Sequence, residues 1–350
     1  MIAMSLPLPS DAMRDYFAAL ARGGRRELGF ARVRPSDWRE WQTQLRTALR
    51  ELLAVDSYEP HEVRAEVVTE ERCAGYRRQL LRVQGRDGAV IPAYWLIPDE
   101  LAAPAGVVIA LHGHGPGKVK PVAASQDYWG QPVDVSGERD YAVQAVRRGY
   151  LALAPDLRGF GEMMLPEALA AAKGDTCTEM AMRALMVGRS LVGMRILDMS
   201  SLIDWLVTQP QVDPGRLFCT GQSGGGTLTV WAAALEERIA AAVPSCGFCT
   251  FEHSIMAVHH CPCKYAAGVL DLCENYDLAG LIAPRPLLVV TGALDPIFPL
   301  EGVRSAYEQA REVYQAAGRP GNIELFVGGE GHRYYAERVW EFLGELGSRA

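Results

Sequence analysis

Arg216-Leu217-Phe218-Cys219-Thr220-Gly221-Gln222-Ser223-Gly224-Gly225-Gly226 is the stretch whose reading decides the fold. Its first five residues have the length and apolar character of a buried strand, and Gly221 to Gly225 match G-x-S-x-G. A helix-prone segment, residues 227–235, follows at once. A strand that turns sharply into a helix needs glycines around the turn, because neighbouring side chains collide there. Such a turn lifts a serine hydroxyl out of the sheet and aims a helix N-terminus at a reacting carbonyl. Five residues alone also suit an ordinary turn. The strand before and the helix after make Ser223 the candidate nucleophile.

Outward from this turn, short apolar runs alternate with helical periods. Strands are expected at residues 106–111, 150–155, 216–220, 240–244, 286–291 and 322–327. Met199, Leu202, Ile203 and Leu206 form a helical stripe that ends before Pro210. Tyr307, Val313 and Tyr314 belong to another helix, and Val339, Trp340 and Leu343 to a last one. This alternation implies an α/β fold with a mostly parallel sheet flanked by helices. Residues 162–193 break the pattern. They are helix-prone and rich in methionine, and fall between the second of these strands and the helix before Ser223. An insertion there sits over the strand C-termini, where open α/β sheets bind ligands, so a helical cap is expected.

Residues 1–60 are expected to form an N-terminal helical extension, and residues 61–350 the catalytic domain. Trp38, Trp41, Leu45, Leu49 and Leu52 share one face of a helix expected over residues 36–53, and Asp37 with Glu40 has the form of a capping box. That face must cover something apolar, either the main domain or a neighbouring subunit, so a homo-oligomer stays open. Residues 63–98 read as β-rich. Strands at 76–83 and 90–97 flank the turn signal Gly85-Arg86-Asp87-Gly88.

A serine is a weak nucleophile until a base takes its proton, and the base needs an orienting acid. In a sheet of this kind the chain order is serine, acid, histidine. His332 is the one histidine beyond both Ser223 and the last expected strand; His253, His259 and His260 come too early. It stands in the loop Gly328-Gly329-Glu330-Gly331-His332. The acid should follow the preceding strand, as Asp295 does in Thr291-Gly292-Ala293-Leu294-Asp295-Pro296, whereas Asp271 and Asp277 precede it. A surface-loop histidine and a turn aspartate before proline are the ordinary alternatives. His112-Gly113-His114-Gly115 follows the first parallel strand. Its backbone, at Gly113 or His114, is the candidate oxyanion donor together with the N–H of Gly224. The H-x-H spacing also occurs in metal sites, but no carboxylate ligand accompanies it, so loop shaping is the expected role of the two side chains.

With these motifs in place, the chain resembles the α/β-hydrolase superfamily, in particular the branch around dienelactone hydrolases and acetyl xylan esterases. The resemblance spans about residues 106–343. It rests on Leu111-His112-Gly113-His114-Gly115, Asp156-Leu157-Arg158-Gly159-Phe160-Gly161, Gly221-Gln222-Ser223-Gly224-Gly225-Gly226, Ala283-Pro284-Arg285-Pro286-Leu287-Leu288 leading to Asp295, and Gly331-His332. Dienelactone hydrolases use a cysteine nucleophile where this chain has Ser223, which points to esters. The resemblance thus implies a serine carboxylesterase working through an acyl-enzyme on small soluble esters, acetylated carbohydrates among them, without a cofactor. Arg158 and Gln222 are candidate substrate contacts, although for Asp156 and Arg158 an internal ion pair bracing the loop is the preferred reading over a contact from the rim. Arg189 and Arg195, in and beside the cap, raise the same question. Two rivals remain: a serine peptidase of the prolyl-oligopeptidase type, whose propeller is absent here, and a catalytically inactive binding protein on the same fold.

The net charge of −7 and the absence of long like-charge blocks argue against nucleic acid or anionic membranes as partners. No apolar run approaches the ~20 residues of a membrane span. Residues 1–10 lack the basic start and apolar core of a signal peptide, so a cytoplasmic protein with eight reduced cysteines is expected. Cys246-Gly247-Phe248-Cys249 and Cys261-Pro262-Cys263 raise redox or zinc chemistry among those four thiols. Buried apolar thiols, with no metal, are the expectation.

Overall fold

The computed structural model describes residues 9–348. The first eight residues, on which most of the signal-peptide reading falls, lie outside the described residues.

Nine strands form one sheet among the described residues: β1 (Arg64–Cys73), β2 (Tyr76–Gln84), β3 (Val90–Pro98), β4 (Ala105–Leu111), β5 (Leu151–Pro155), β6 (Val212–Gln222), β7 (Ala241–Ser245), β8 (Leu287–Gly292) and β9 (Ile323–Gly328). Their order is β1-β2-β3-β5-β4-β6-β7-β8-β9. The first three strands and the β3/β5 pair are antiparallel, and every pair from β5/β4 to β8/β9 is parallel. Every residue of β4 is buried, as a strand covered on both faces requires. Its side chains alternate between two cores: Val107, Ile109 and Leu111 enter one, Val108 and Ala110 the other.

The helices are α1 (Pro9–Arg22), α2 (Trp38–Leu52), α3 (Tyr141–Val146), α4 (Pro166–Ala170), α5 (Cys177–Met186), α6 (Leu191–Leu206), α7 (Gly224–Leu235), α8 (Val269–Leu272), α9 (Asn275–Ile282), α10 (Leu300–Ala316) and α11 (Ala336–Ser348). α2, α6, α7, α9 and α10 supply the larger core, α3 and α11 the smaller one. The six strands expected from 106 onward all appear, within a few residues of their expected ends. None of the helices among the described residues is long and apolar enough to cross a membrane.

The apolar face of α2 covers this same chain. Leu45 and Leu49 are fully buried in the larger core, and Gln42 donates through Nε2 to the carbonyls of Gly280 (2.9 Å) and Ala283 (2.7 Å). The capping box expected from Asp37 and Glu40 does not form. Asp37 instead accepts from Arg34 Nε (2.9 Å) and Ser36 Oγ (2.8 Å), which ties its carboxylate to the preceding turn. A capping box does close α9, between Glu274 and Asp277.

The insertion between β5 and β6 consists of α4, α5 and their loops. Its last expected residues, 191–193, belong to the first turn of α6, where Ser190 caps the helix by accepting from Gly193 N at 3.1 Å.

Candidate active site

β6 ends at Gln222 and α7 begins at Gly224, so Ser223 alone makes the turn between them. Its backbone sits at φ 59° and ψ −117°, a conformation costing a non-glycine residue on the order of 1–3 kcal/mol. Close packing holds it there. A Cβ at Gly225 would overlap the Leu111 carbonyl, and one at Gly226 would come within 2.7 Å of the Ser245 oxygen. Ser223 N donates to Ser245 O at 2.9 Å, while Ser223 O accepts from Thr227 N in the first turn of α7.

Asp295 and His332 follow β8 and β9, on the same edge of the sheet as this turn. His332 Nδ1 lies 2.8 Å from Asp295 Oδ2. The other carboxylate oxygen accepts from the N–H groups of Ile297 (2.9 Å) and Phe298 (3.2 Å). Burial disfavours the charge on Asp295. The hydrogen bonds with His332 and from the two N–H groups outweigh that, and hold its pKa below the ordinary aspartate value. Phe298 stacks on the His332 ring, with centroids 6.0 Å apart and planes 8° from parallel. Ser245 Oγ and Cys246 Sγ both donate to the Arg333 carbonyl, at 3.3 and 3.2 Å. The histidine loop is thereby tied to β7, the strand that also anchors Ser223. Cys246 stays a neutral thiol, because burial and the nearby Asp295 push it up to about 12. Ser223 Oγ and His332 Nε2 make no hydrogen bond among the described residues. Such contacts are often long until substrate is bound.

The loop after β4 lies against this turn. A Cβ on Gly113 would come within 3.2 Å of Ser223 Cβ, and one on Gly224 within 3.1 Å of His114 Nδ1. Gly113, His114 and Gly224 therefore face one another beside the serine. His112 is buried beneath them, with Nδ1 2.7 Å from the Gly113 carbonyl and Nε2 accepting from Leu157 N at 3.0 Å. Burial pulls it down to about 4, so it is a neutral brace with both ring nitrogens occupied. Gln222 is buried beside Gly113, and its Nε2 has no partner among the described residues.

Arg158 takes the internal ion-pair role expected of it and not that of a substrate contact on the rim. It is buried, and its guanidinium forms a fork on Asp198 (Nε–Oδ2 2.8 Å, Nη2–Oδ1 2.6 Å) and reaches Asp87 at 2.7 Å. Asp156 is not its partner. That carboxylate accepts from Lys118 Nζ (2.9 Å), Tyr128 Oη (2.8 Å) and two backbone N–H groups. Arg158→Met leaves two carboxylates in a largely buried setting without their cation, which typically costs about 3–5 kcal/mol. Denaturant unfolding should show that loss, while KM for a small ester stays near the parent value.

A cavity of about 560 Å³ opens at the serine. His114, Asp175, Thr178, His259, His260, Cys261, Pro262, Lys264 and Ile297 line it with Ser223. Asp175 and Thr178 come from the insertion, which thus forms part of the wall. Lys264 is a buried wall residue that motif reading did not find. Its Nζ lies 3.1 Å from His260 Nδ1 and over the Phe298 ring, and burial pulls its pKa down to about 8. The four thiols grouped by sequence do not stay together. Cys246 lies by the Asp295–His332 pair, and Cys249 Sγ faces the Pro299 carbonyl at 3.8 Å. Cys261 and Cys263 meet Cys177 and His114 instead.

A serine held at positive φ between a strand and the next helix, in a sheet wound in this order, is the architecture of an α/β-hydrolase. The chain belongs to the Abhydrolase family, which matches residues 28–326. That match takes in α2 and β1–β3, ahead of the point where the motif resemblance begins. The Bacillus subtilis (strain 168) protein named "Putative hydrolase YtaP" is 28% identical over 262 residues, covering 72% of this chain and 81% of that one. Among solved structures, one described as a "putative acetyl xylan esterase" from Bacteroides fragilis NCTC 9343 superposes with a TM-score of 0.81 at 19% identity, covering 99% of this chain and 97% of that one. An acetyl xylan esterase from Paenibacillus sp. R4 gives 0.59 at 18% identity, over 87% and 94%. At these identities the two structures speak for the fold alone.

Proposed function

We propose that the protein is a serine carboxylesterase acting on small soluble esters, acetylated carbohydrates among them. The observation that carries this reading is the strained turn at Ser223, on the sheet edge that also bears the hydrogen-bonded Asp295–His332 pair. A carboxylate at Oδ2 favours the proton on His332 Nδ1, leaving Nε2 to accept one. Ser223 Oγ attacks the ester carbonyl carbon, its proton passing to His332 Nε2. The N–H of Gly224, with that of Gly113 or His114, holds the oxyanion. The alcohol leaves with the proton from His332, and water repeats the sequence on the acyl-serine. The polar wall of Asp175, His259 and Lys264 suits a hydroxyl-rich alcohol, and the acetyl xylan esterases that share the fold fit the same substrate class. A cytoplasmic setting, in which the eight free cysteines stay reduced, is part of the proposal.

Chromogenic esters of rising acyl length, set beside aminoacyl anilides, test the reading. Short-chain esters should give the highest kcat/KM and the anilides little turnover. The opposite order would assign the site to a peptidase, and failure of Ser223 to react with a fluorophosphonate would assign the fold to a binding protein.

A further inference from the structure

We propose that His114, Cys177, Cys261 and Cys263 bind one Zn²⁺, which pins the insertion to the rim of the active-site cavity. The four residues come from three separate segments: the loop after β4, the first turn of α5, and the Cys261-Pro262-Cys263 loop that follows β7. Their donor atoms all lie within 4.8 Å of one another, and Cys263 Sγ stands 3.7 Å from His114 Nε2. A tetrahedral zinc with bonds of about 2.3 Å to sulfur and about 2.0 Å to nitrogen spaces its ligands by roughly 3.6–3.8 Å. One pair is already at that separation, and no pair has more than about 1 Å to close. Three thiolates and an imidazole are also a known structural zinc set.

The surroundings fit the charge of such a centre. Zn²⁺ with three thiolates carries −1, and binding releases the three thiol protons to solvent. Arg195 is 4% exposed, yet it makes no ion pair with a carboxylate among the described residues. Its Nη2 instead donates to Cys177 Sγ at 3.4 Å, and the guanidinium is held by the Arg158 carbonyl. A buried cation aimed at a sulfur is the kind of outer partner that steadies a metal thiolate. Lys264, next to Cys263, is a second buried cation without a carboxylate partner among the described residues. At Gly159 a Cβ would come within 2.9 Å of Cys177 Sγ, so no side chain intrudes on the cluster from that side. Phe160 meets the His114 ring edge-on at 4.9 Å.

Four protein ligands leave no position for water, so this zinc is a clamp and takes no part in bond breaking. It does have a consequence for the site. With Nε2 on the metal, His114 keeps its proton on Nδ1, the atom that faces Gly224 beside the serine. The proposal is independent of the esterase reading, since its readout is metal and not turnover.

The test uses the full chain, grown with ample zinc and purified under reductant without chelator. Elemental analysis should find about one zinc per chain, a structural-site stoichiometry. The double variant Cys261→Ser/Cys263→Ser should lose it, and Cys73→Ser, remote from the cluster, should keep it. Parent protein stripped of metal and titrated with Co²⁺ should develop thiolate charge-transfer absorption and the intense visible bands of tetrahedral cobalt, which Cys177→Ser weakens. Zinc retained by the double variant overturns the site. So does reduced parent protein that holds no zinc and gives no tetrahedral cobalt spectrum, an outcome that needs no variant to fold.

Discussion

Alanine at Ser223 is expected to lower kcat for a chromogenic ester by roughly 10⁵- to 10⁶-fold, with His332→Ala close behind and the double variant little worse than either. The three outcomes go together because nucleophile and base act as one unit. An alkoxide-like attack needs both the oxygen and the acceptor of its proton, and once one is gone the other has nothing to work on. The remaining rate belongs to water held near Gly224, Gly113 and His114, whose donors stay in place. The fold should survive, since alanine at 223 meets the same backbone angles as serine and the packing of Gly225 on Leu111 is untouched. Rates within tenfold of the parent for either single variant would remove Ser223 or His332 from the reaction. A strictly additive double variant would mean that they work separately.

Asp295→Asn should cost about 10⁴-fold in kcat with little change in KM. The direction follows from how the carboxylate is held. One oxygen accepts from Ile297 N and Phe298 N, so the amide oxygen of asparagine must take that place. Its NH₂ then faces His332 Nδ1, where a donor is wrong for the reaction. The ring answers by accepting at Nδ1 and carrying its proton on Nε2, which leaves no lone pair for the serine proton. Asp295→Asn with near-parent kcat would show that the carboxylate does not set the tautomer.

The parts of the fold legible in the sequence are those where burial leaves a period. β4, β6, β7 and β8 are apolar because both faces are covered, and their runs stand out against the loops. β1 is the opposite case. Every residue from Arg64 to Cys73 is exposed or half-exposed, so no alternation marks it, and within the β-rich residues 63–98 only the strands at 76–83 and 90–97 stand out. At the candidate site, the placement of Ser223, Asp295 and His332 after β6, β8 and β9 was legible because chain order is tied to strand order, which sequence preserves. The partners of Arg158 were not: Asp87 and Asp198 lie far away in the chain, and nothing local distinguishes them from surface aspartates. The same holds for Cys177, which meets Cys261 and Cys263 only once α5 packs against α6 and the turn at Pro262–Lys264. Asp37 misled because a capping box is a pattern of residue types, and Arg34 competes for the same carboxylate.

The insertion leaves the sheet at the end of β5 and ends at α6, which leads into β6, and β5 and β6 both pair with β4. Its ends are therefore fixed, and what a longer or shorter exposed loop beside the buried Cys177 and Ala181 changes is chiefly the entropy of closing that loop. That entropy grows only with the logarithm of length, about 0.6 kcal/mol for each doubling, against a typical folding margin of about 5–15 kcal/mol. One methyl group at Gly225, by contrast, collides with the backbone of β4. The two regions that together wall the cavity thus tolerate change on very different scales. Divergence of this lineage toward new substrates should accumulate in the segment between β5 and α6, by insertion and deletion, while the glycines around Ser223 stay as they are.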